Sequence, residues 1–262
     1  MNLEYVPLLM RYRNLYGQPR DMARFRSYLD VLTTADHRDV AILPLNAMNP
    51  MAKLPVLEAI DDLIGFDADG AAAAAVDELC EDVRQVMTRA GPMQIADRRA
   101  VPVPVLIKAG LSVLDATGGW TNRAVNDFRM REGVASSAEQ GWCVIPLWAQ
   151  DHYTRADVRR ETMTALYRLM FVLAHGSART LGDYLAQEGY AQSRAGGLPS
   201  LDADDLAYTN AVLQPHLMAT GQPTLIAALY GDTAAKELGY EPLGLSEGAG
   251  LALAIARHGF ST

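Results

Sequence analysis

Apolar residues recurring three and four positions apart alternate along this chain with short, continuous apolar runs. The first pattern predicts helices and the second predicts buried strands. Pro19 and Asp21 open the first helical pattern, with Met22, Phe25, Leu29 and Leu32 on one face and an end near Thr34. Residues 40–45 follow as an apolar run stopped by Pro44 and the turn-rich 46–50, which predicts a buried strand entering a loop. Helices are expected over 55–64 and 70–90, the second rich in alanine and closed by Gly91-Pro92. Residues 101–107 read as a strand held to a sheet edge, because Pro102 and Pro104 lack the N–H that a ladder needs.

A short strand at 111–115 is expected to lead through Thr117-Gly118-Gly119 into a helix over 121–131. The apolar run 142–148 repeats the earlier one, with Val144-Ile145-Pro146-Leu147 beside Ile42-Leu43-Pro44-Leu45. This reads as one local solution used twice, a strand ended by proline, rather than as a duplication. Thr154-x-x-Asp157 forms a capping-box start for the strongest helical pattern, 155–174, whose buried face is Val158, Leu166, Leu169, Met170 and Leu173. Gly176 stops it, and a helix over 178–187 follows closely enough for an αα-hairpin. Residues 191–199, with Ser193, Gly196-Gly197 and Pro199, form the best internal linker. Helices at 204–214 and 246–258 bracket one more expected strand, 225–230. Together these elements predict a single α/β domain over 1–262, a helix-rich layered fold around a small, mostly parallel sheet, with a mostly α protein as the alternative.

Composition narrows the function classes. Half of the 262 residues are hydrophobic and 21% are charged, enough to bury a core rather than remain disordered. The net charge of −8 disfavours capture of nucleic acid or an anionic membrane, both of which rely on excess Lys and Arg. Cys80 and Cys143 are far apart and outside any CxxC spacing, so they read as buried thiols rather than as a disulfide or a zinc knuckle. The apolar run at 6–10 is cut short by Arg11 and Arg13, too short for a signal sequence. The run at 169–174, between Arg168 and His175, falls far below the ~20 residues of a membrane helix. A cytoplasmic protein with no nucleic-acid or membrane partner is the expectation.

In a parallel sheet, ligands collect where loops and helix N-termini meet the carboxyl ends of strands. Residues 46–50, 117–123 and 150–155 occupy such places in the predicted order. Gly118, Gly119, Trp120, Asn122 and Arg123 are the leading ligand-binding candidates. Paired glycines let backbone N–H groups approach an anion, a following helix aims its positive end at it, and Arg123 adds a guanidinium fork. The structural account of the same residues is a tight connection, with Arg123, Asp127 and Arg131 as a solvated ladder of charges. Asp151 and His152 are the acid–base candidates, since histidine titrates near neutrality and a carboxylate raises its basicity. Neighbours in extended chain point to opposite sides, however, which opposes direct cooperation between them.

Glu161 and Arg168 lie two turns apart on the strongest helix and are read as a buried polar pair acting through a third group. His175 sits in the last turn as a favourable cation. No metal-ligand spacing occurs, and the patterns assign no cofactor. Arg11, Arg13, Arg20, Arg24 and Arg26 interleave with Tyr12, Tyr16, Phe25 and Tyr28. At this charge balance they read as a salt-bridged, solvated helix face, with a nucleotide-binding surface as the alternative.

Leu63-Ile64-Gly65-Phe66 running into Asp67-Ala68-Asp69-Gly70 resembles the nucleophile motif of haloacid dehalogenase-type phosphatases. The resemblance implies Asp67 as nucleophile, Asp69 as general acid/base and magnesium at the phosphate, and Gly231-Asp232 resembles the family's metal loop. Ala71 stands where that family carries Thr or Val, and the likeness covers about ten residues. Either aspartate also serves as a cap for the alanine-rich helix. The leading expectation is therefore a binder of a small anionic ligand, with acid–base chemistry as an addition. A non-catalytic helical interaction module and the phosphatase are the alternatives.

Overall fold

A computed structural model describes residues 2–52, 54–90, 104–116 and 122–259. The chain divides into two compact units, Met1–Asn122 with Ser136–Ala165, and Arg123–Ala135 with Leu166–Thr262. The elements form the helix-rich α/β arrangement, with three parallel strands and twelve α-helices among the described residues.

The first unit holds the sheet. Its strands β1 (Asn2–Tyr5), β2 (Leu106–Leu114) and β3 (Trp142–Trp148) run parallel in the order β1-β2-β3, with Asn2 opposite Leu106 and Lys108 opposite Trp142. The expected strands at 101–107 and 111–115 are therefore parts of one central strand that starts after Pro104 rather than running through it. Residues 109–114 of β2 are buried on both faces, which removes the alternation that would have marked them as one strand. Gly110 fits closely there, because a Cβ would lie 2.9 Å from Leu8 Cδ1, which would have to shift. Proline does not end β3: Pro146 sits inside it, which an edge strand tolerates.

Four helices of this unit are α1 (Leu9–Tyr16), α2 (Met22–Leu32), α3 (Leu54–Gly65) and α4 (Ala68–Ala90). Ala71, Ala72 and Ala75 of α4 are buried small residues that let the helix pack closely on β1. The strand expected at 40–45 is absent. Val40 makes one antiparallel bridge to Thr33, and a 3-10 helix over Leu43–Ala47 follows, with Pro44 in its first turn. Proline supplies no N–H to a ladder but is pre-set for a helical first turn, so the two similar runs fold differently.

In the second unit, α5 (Arg123–Glu132), α8 (Leu181–Arg194), α9 (Ala203–Leu213), α10 (Gln222–Tyr230), α11 (Asp232–Glu237) and α12 (Ala249–Gly259) surround a core containing Phe128, Tyr184, Leu225, Leu229 and Leu253. The chain divides within both α6 (Val134–Glu139) and α7 (Arg155–His175), giving each unit part of these helices. Residues 225–230 are helical rather than extended. Pro223 starts α10, and all six are buried, so no polar stripe reveals the period. The segment 191–199 begins as the last turn of α8 and continues to α9, inside the second unit on both sides. The capping box at Thr154 is present: its N–H donates to Asp157 Oδ2 at 2.9 Å, and Asp157 N–H donates to Thr154 Oγ1 at 3.2 Å.

Candidate functional site

A cavity of the first unit lies where α1 turns into α2. Helix α1 ends at Tyr16, and the turn 17–20 carries the chain to Asp21. The Asp21 carboxylate accepts the N–H groups of Ala23 at 2.8 Å and Arg24 at 3.3 Å. That cap sets the start of α2, and the buried face is Arg24, Tyr28 and Leu32: of the expected Met22, Phe25, Leu29 and Leu32, only Leu32 is fully buried. Met22 is 60% exposed while Arg24 is 4% exposed. The reason is tertiary. Tyr28 donates its hydroxyl to Leu45 O, as Tyr12 does to Pro44 O and Tyr16 to Asn49 O, so three phenols bind the carbonyls of one segment. Arg24 shares the helical row of Tyr28, four residues away, and is carried inward with it.

A cavity of about 660 Å³ opens there. Its walls come from Gly17, Gln18, Pro19 and Arg20 of the turn, and from Ala52, Pro55 and Leu57 at the start of α3, with Tyr16 and Arg24 completing the lining. Among the described residues no carboxylate or carbonyl pairs with the Arg24 guanidinium, and its Nε is buried without a hydrogen-bond acceptor. Its close partner among the described residues is the Tyr16 ring, whose centroid lies 4.7 Å from Cζ. Burial lowers the Arg24 pKa from its ordinary value; the neighbouring Tyr16 opposes this and the like charge of Arg20 adds to it. A cation withdrawn from water with no counter-charge is an attractor for an anion. Burial likewise raises the Tyr16 phenol well above its usual range, helped by Tyr12 and Asp115 and opposed by Arg24, so the phenol stays a neutral donor.

The expected ligand residues Gly118, Gly119 and Trp120 lie outside the described residues. Asn122 is half-buried and Arg123 is exposed at the start of α5; the division between the units falls between them. Asp151 is half-buried after β3 and accepts the Tyr153 hydroxyl at 3.3 Å, while His152 is exposed. The residues that join the carboxyl ends of β2 and β3 were not foreseen: Gln150 donates to Asp115 Oδ1 at 2.9 Å and accepts from the Ala116 N–H at 3.2 Å. Adjacent strand ends meet there only once β2 and β3 have paired, a relation no local spacing carries.

The motif carboxylates serve the fold. Asp67 is exposed, with a positive φ of 59°, and its Oδ2 lies 3.1 Å from Arg155 Nη1. Asp69 accepts the Tyr5 hydroxyl at 2.5 Å and the N–H groups of Leu8 and Leu9, capping α1 from α4. Burial raises the Asp69 pKa, and the three donors only partly offset it. Asp232, in the other unit, accepts the N–H groups of Leu243, Gly244 and Leu245 and closes a loop. Each carboxylate thus has a structural role, Asp67 between α3 and α4, Asp69 in the first turn of α4 and Asp232 in the first turn of α11, none of them at a strand end. Among the described residues no cluster of three His, Cys, Asp or Glu is arranged to hold a metal, and no helix is long and apolar enough to cross a membrane.

Two further expectations are corrected. Arg131 does not end a solvated ladder: its side chain is 13% exposed and its Nη1 donates to the Tyr230 hydroxyl at 2.7 Å. Arg168 pairs with Glu188 of α8 rather than with Glu161, through Nε–Oε1 at 2.6 Å and Nη2–Oε2 at 2.8 Å. Arg131 Nε lies 3.1 Å from the same carboxylate, placed as an ion pair and not angled to donate. Burial alone would raise the Glu188 pKa, but Arg168 and Arg131 outweigh it and hold the carboxyl well below its ordinary range. Of the arginine-rich N-terminal segment, Arg13 does form the expected exposed pair, with Asp61 at 2.7 Å. Comparison with protein families, curated proteins and solved structures finds no match for this chain.

Proposed function

We propose that this chain binds a small anionic ligand in the cavity between the α1–α2 turn and the start of α3. Arg24 is the interior cation and Arg20 the cation at the rim. The observation that carries this reading is the buried Arg24 guanidinium lining a 660 Å³ cavity with no carboxylate beside it among the described residues. Structural arginines of this chain look different: Arg168 is buried too, but holds Glu188 with two charge-assisted hydrogen bonds. A cavity of this size is within the ~300–1,000 Å³ that small-molecule sites occupy. The built cavity favours ligand binding over the interaction module considered above.

The proposal keeps the class of ligand expected from the sequence and moves its receptor to Arg20 and Arg24. The test is isothermal titration of the intact chain with a panel of anions, phosphate, benzoate and decanoate, at low ionic strength. At least one member saturates the wild type at one site, and Arg24→Gln weakens that binding at least tenfold while Arg24→Lys retains part of it. Binding unaltered in Arg24→Gln, or no saturable binding of any anion in the panel, overturns the assignment.

A further inference from the structure

We infer that the ligand of this cavity is an amphipathic organic acid, a single acidic head on an aliphatic or aryl body. This inference rests on the anion-binding reading above and adds the ligand class. The polar capacity of the lining is what selects it. Tyr16 has already donated its hydroxyl to Asn49 O, the Gly17 N–H is taken by Arg13 O, and the Gln18 N–H by Leu15 O. Pro19 and Pro55 carry no N–H at all. Among the described residues the side-chain donors left to a guest are the two guanidiniums and the Gln18 amide, and no carboxylate lines the cavity.

Among the described residues such a lining has cations for one acidic group and, beyond the Gln18 amide, no neutral side-chain donor left for the several hydroxyls of a sugar or nucleotide. Those hydroxyls would leave water to face Ala52, Pro55 and Leu57, and each unpaired one weakens binding. An aliphatic or aryl body loses no hydrogen bond on the same transfer and gains from removing apolar surface from water. Inorganic phosphate satisfies the guanidinium but leaves the apolar wall wet. The ligand that uses both halves of the cavity joins a head for Arg24 to a body for that wall.

The inference is tested by calorimetric titration of the full chain with decanoate, decanol, acetate, inorganic phosphate and adenosine monophosphate, each below any micelle concentration. Decanoate is expected to bind at least tenfold tighter than acetate, phosphate, adenosine monophosphate or decanol. Arg24→Gln and Leu57→Asp should each remove at least tenfold of that affinity. Circular dichroism establishes that each variant is folded, and Arg20→Gln, altered at the exposed rim, gives a second reading of charge should either fail to fold, with an expected loss of at least threefold. Phosphate or adenosine monophosphate binding as tightly as decanoate, with loss in Arg24→Gln, overturns the ligand class and leaves the anion site standing. Decanol matching decanoate with no effect of either arginine variant overturns both, as does the absence of binding by every probe.

Discussion

Arg24→Met separates a functional cation from a structural one, and its expected effect is a gain in stability. Arg24 is 4% exposed, and among the described residues the Tyr16 ring is the one close partner of its guanidinium. Holding a charge out of water costs several kcal/mol even after relaxation, and a cation–π contact returns about 0.5–2 kcal/mol. Methionine keeps the aliphatic stem that packs beside Tyr16 and removes the charge, so the net change is estimated as a stabilisation of about 1–2 kcal/mol. For a cooperative unit of ~150–250 residues that is a rise in Tm of roughly 2–8 °C. The assay is thermal and urea unfolding followed by circular dichroism, in a buffer free of phosphate, sulfate and organic acids. At ligand a hundredfold above Kd the wild type regains about 2.7 kcal/mol, and the order of the two proteins reverses. A loss of more than about 1 kcal/mol in Arg24→Met without ligand refutes the reasoning, because it shows a guanidinium compensated by the fold itself.

Three other outcomes follow from the packing and charge of the two units. Glu188→Gln leaves Arg168 and Arg131 facing a neutral group inside the second unit and is expected to cost about 3–5 kcal/mol in urea unfolding. Because the folded pKa of Glu188 is depressed, its contribution is complete above the unfolded value of about 4.3 and is lost as pH falls below it; unfolding from pH 7 to pH 3 should therefore show a steeper acid loss in the wild type than in the variant. Gly189→Ala, in the middle of α8, should destabilise by about 1–3 kcal/mol, against the ~1 kcal/mol that helix propensity alone would add, since a Cβ there lies 2.4 Å from Ala254 O of α12; a rise in Tm would show that the two helices can separate without penalty. Asp69→Ala should cost about 1–2 kcal/mol through the lost cap of α1, with the amide protons of Leu8 and Leu9 exchanging faster, and unchanged exchange there would deny the cap.

The candidate site was half legible. Arginines interleaved with tyrosines over residues 11–28 were visible as a basic and aromatic segment, and Asp21 was visible as the start of a helix. Which face of that helix turns inward was not. Apolarity pointed to Met22 and Leu29, whereas phenol-to-carbonyl bonds made with residues far along the chain buried Arg24 and Tyr28. A hydropathy pattern scores a tyrosine or an arginine as outward-facing and carries no information about a carbonyl seventeen residues away.

By itself the sequence determined where most helices start and stop, because caps and turns are local chemistry: the Asp21 carboxylate, the reciprocal Thr154–Asp157 bonds and the positive φ of Gly176 each act within a few residues. It also determined that a small, mostly parallel sheet sits among many helices, though not which apolar runs form it, since 40–45 and 225–230 do not. Only the tertiary structure decided whether a fully buried apolar run became helix α10 or a strand, and which carboxylate took Arg168. It alone decided that Arg24 lies buried in the wall of a cavity. Periodicity vanishes when every side is covered, and a charge is matched or left unmatched by groups that only folding brings within reach.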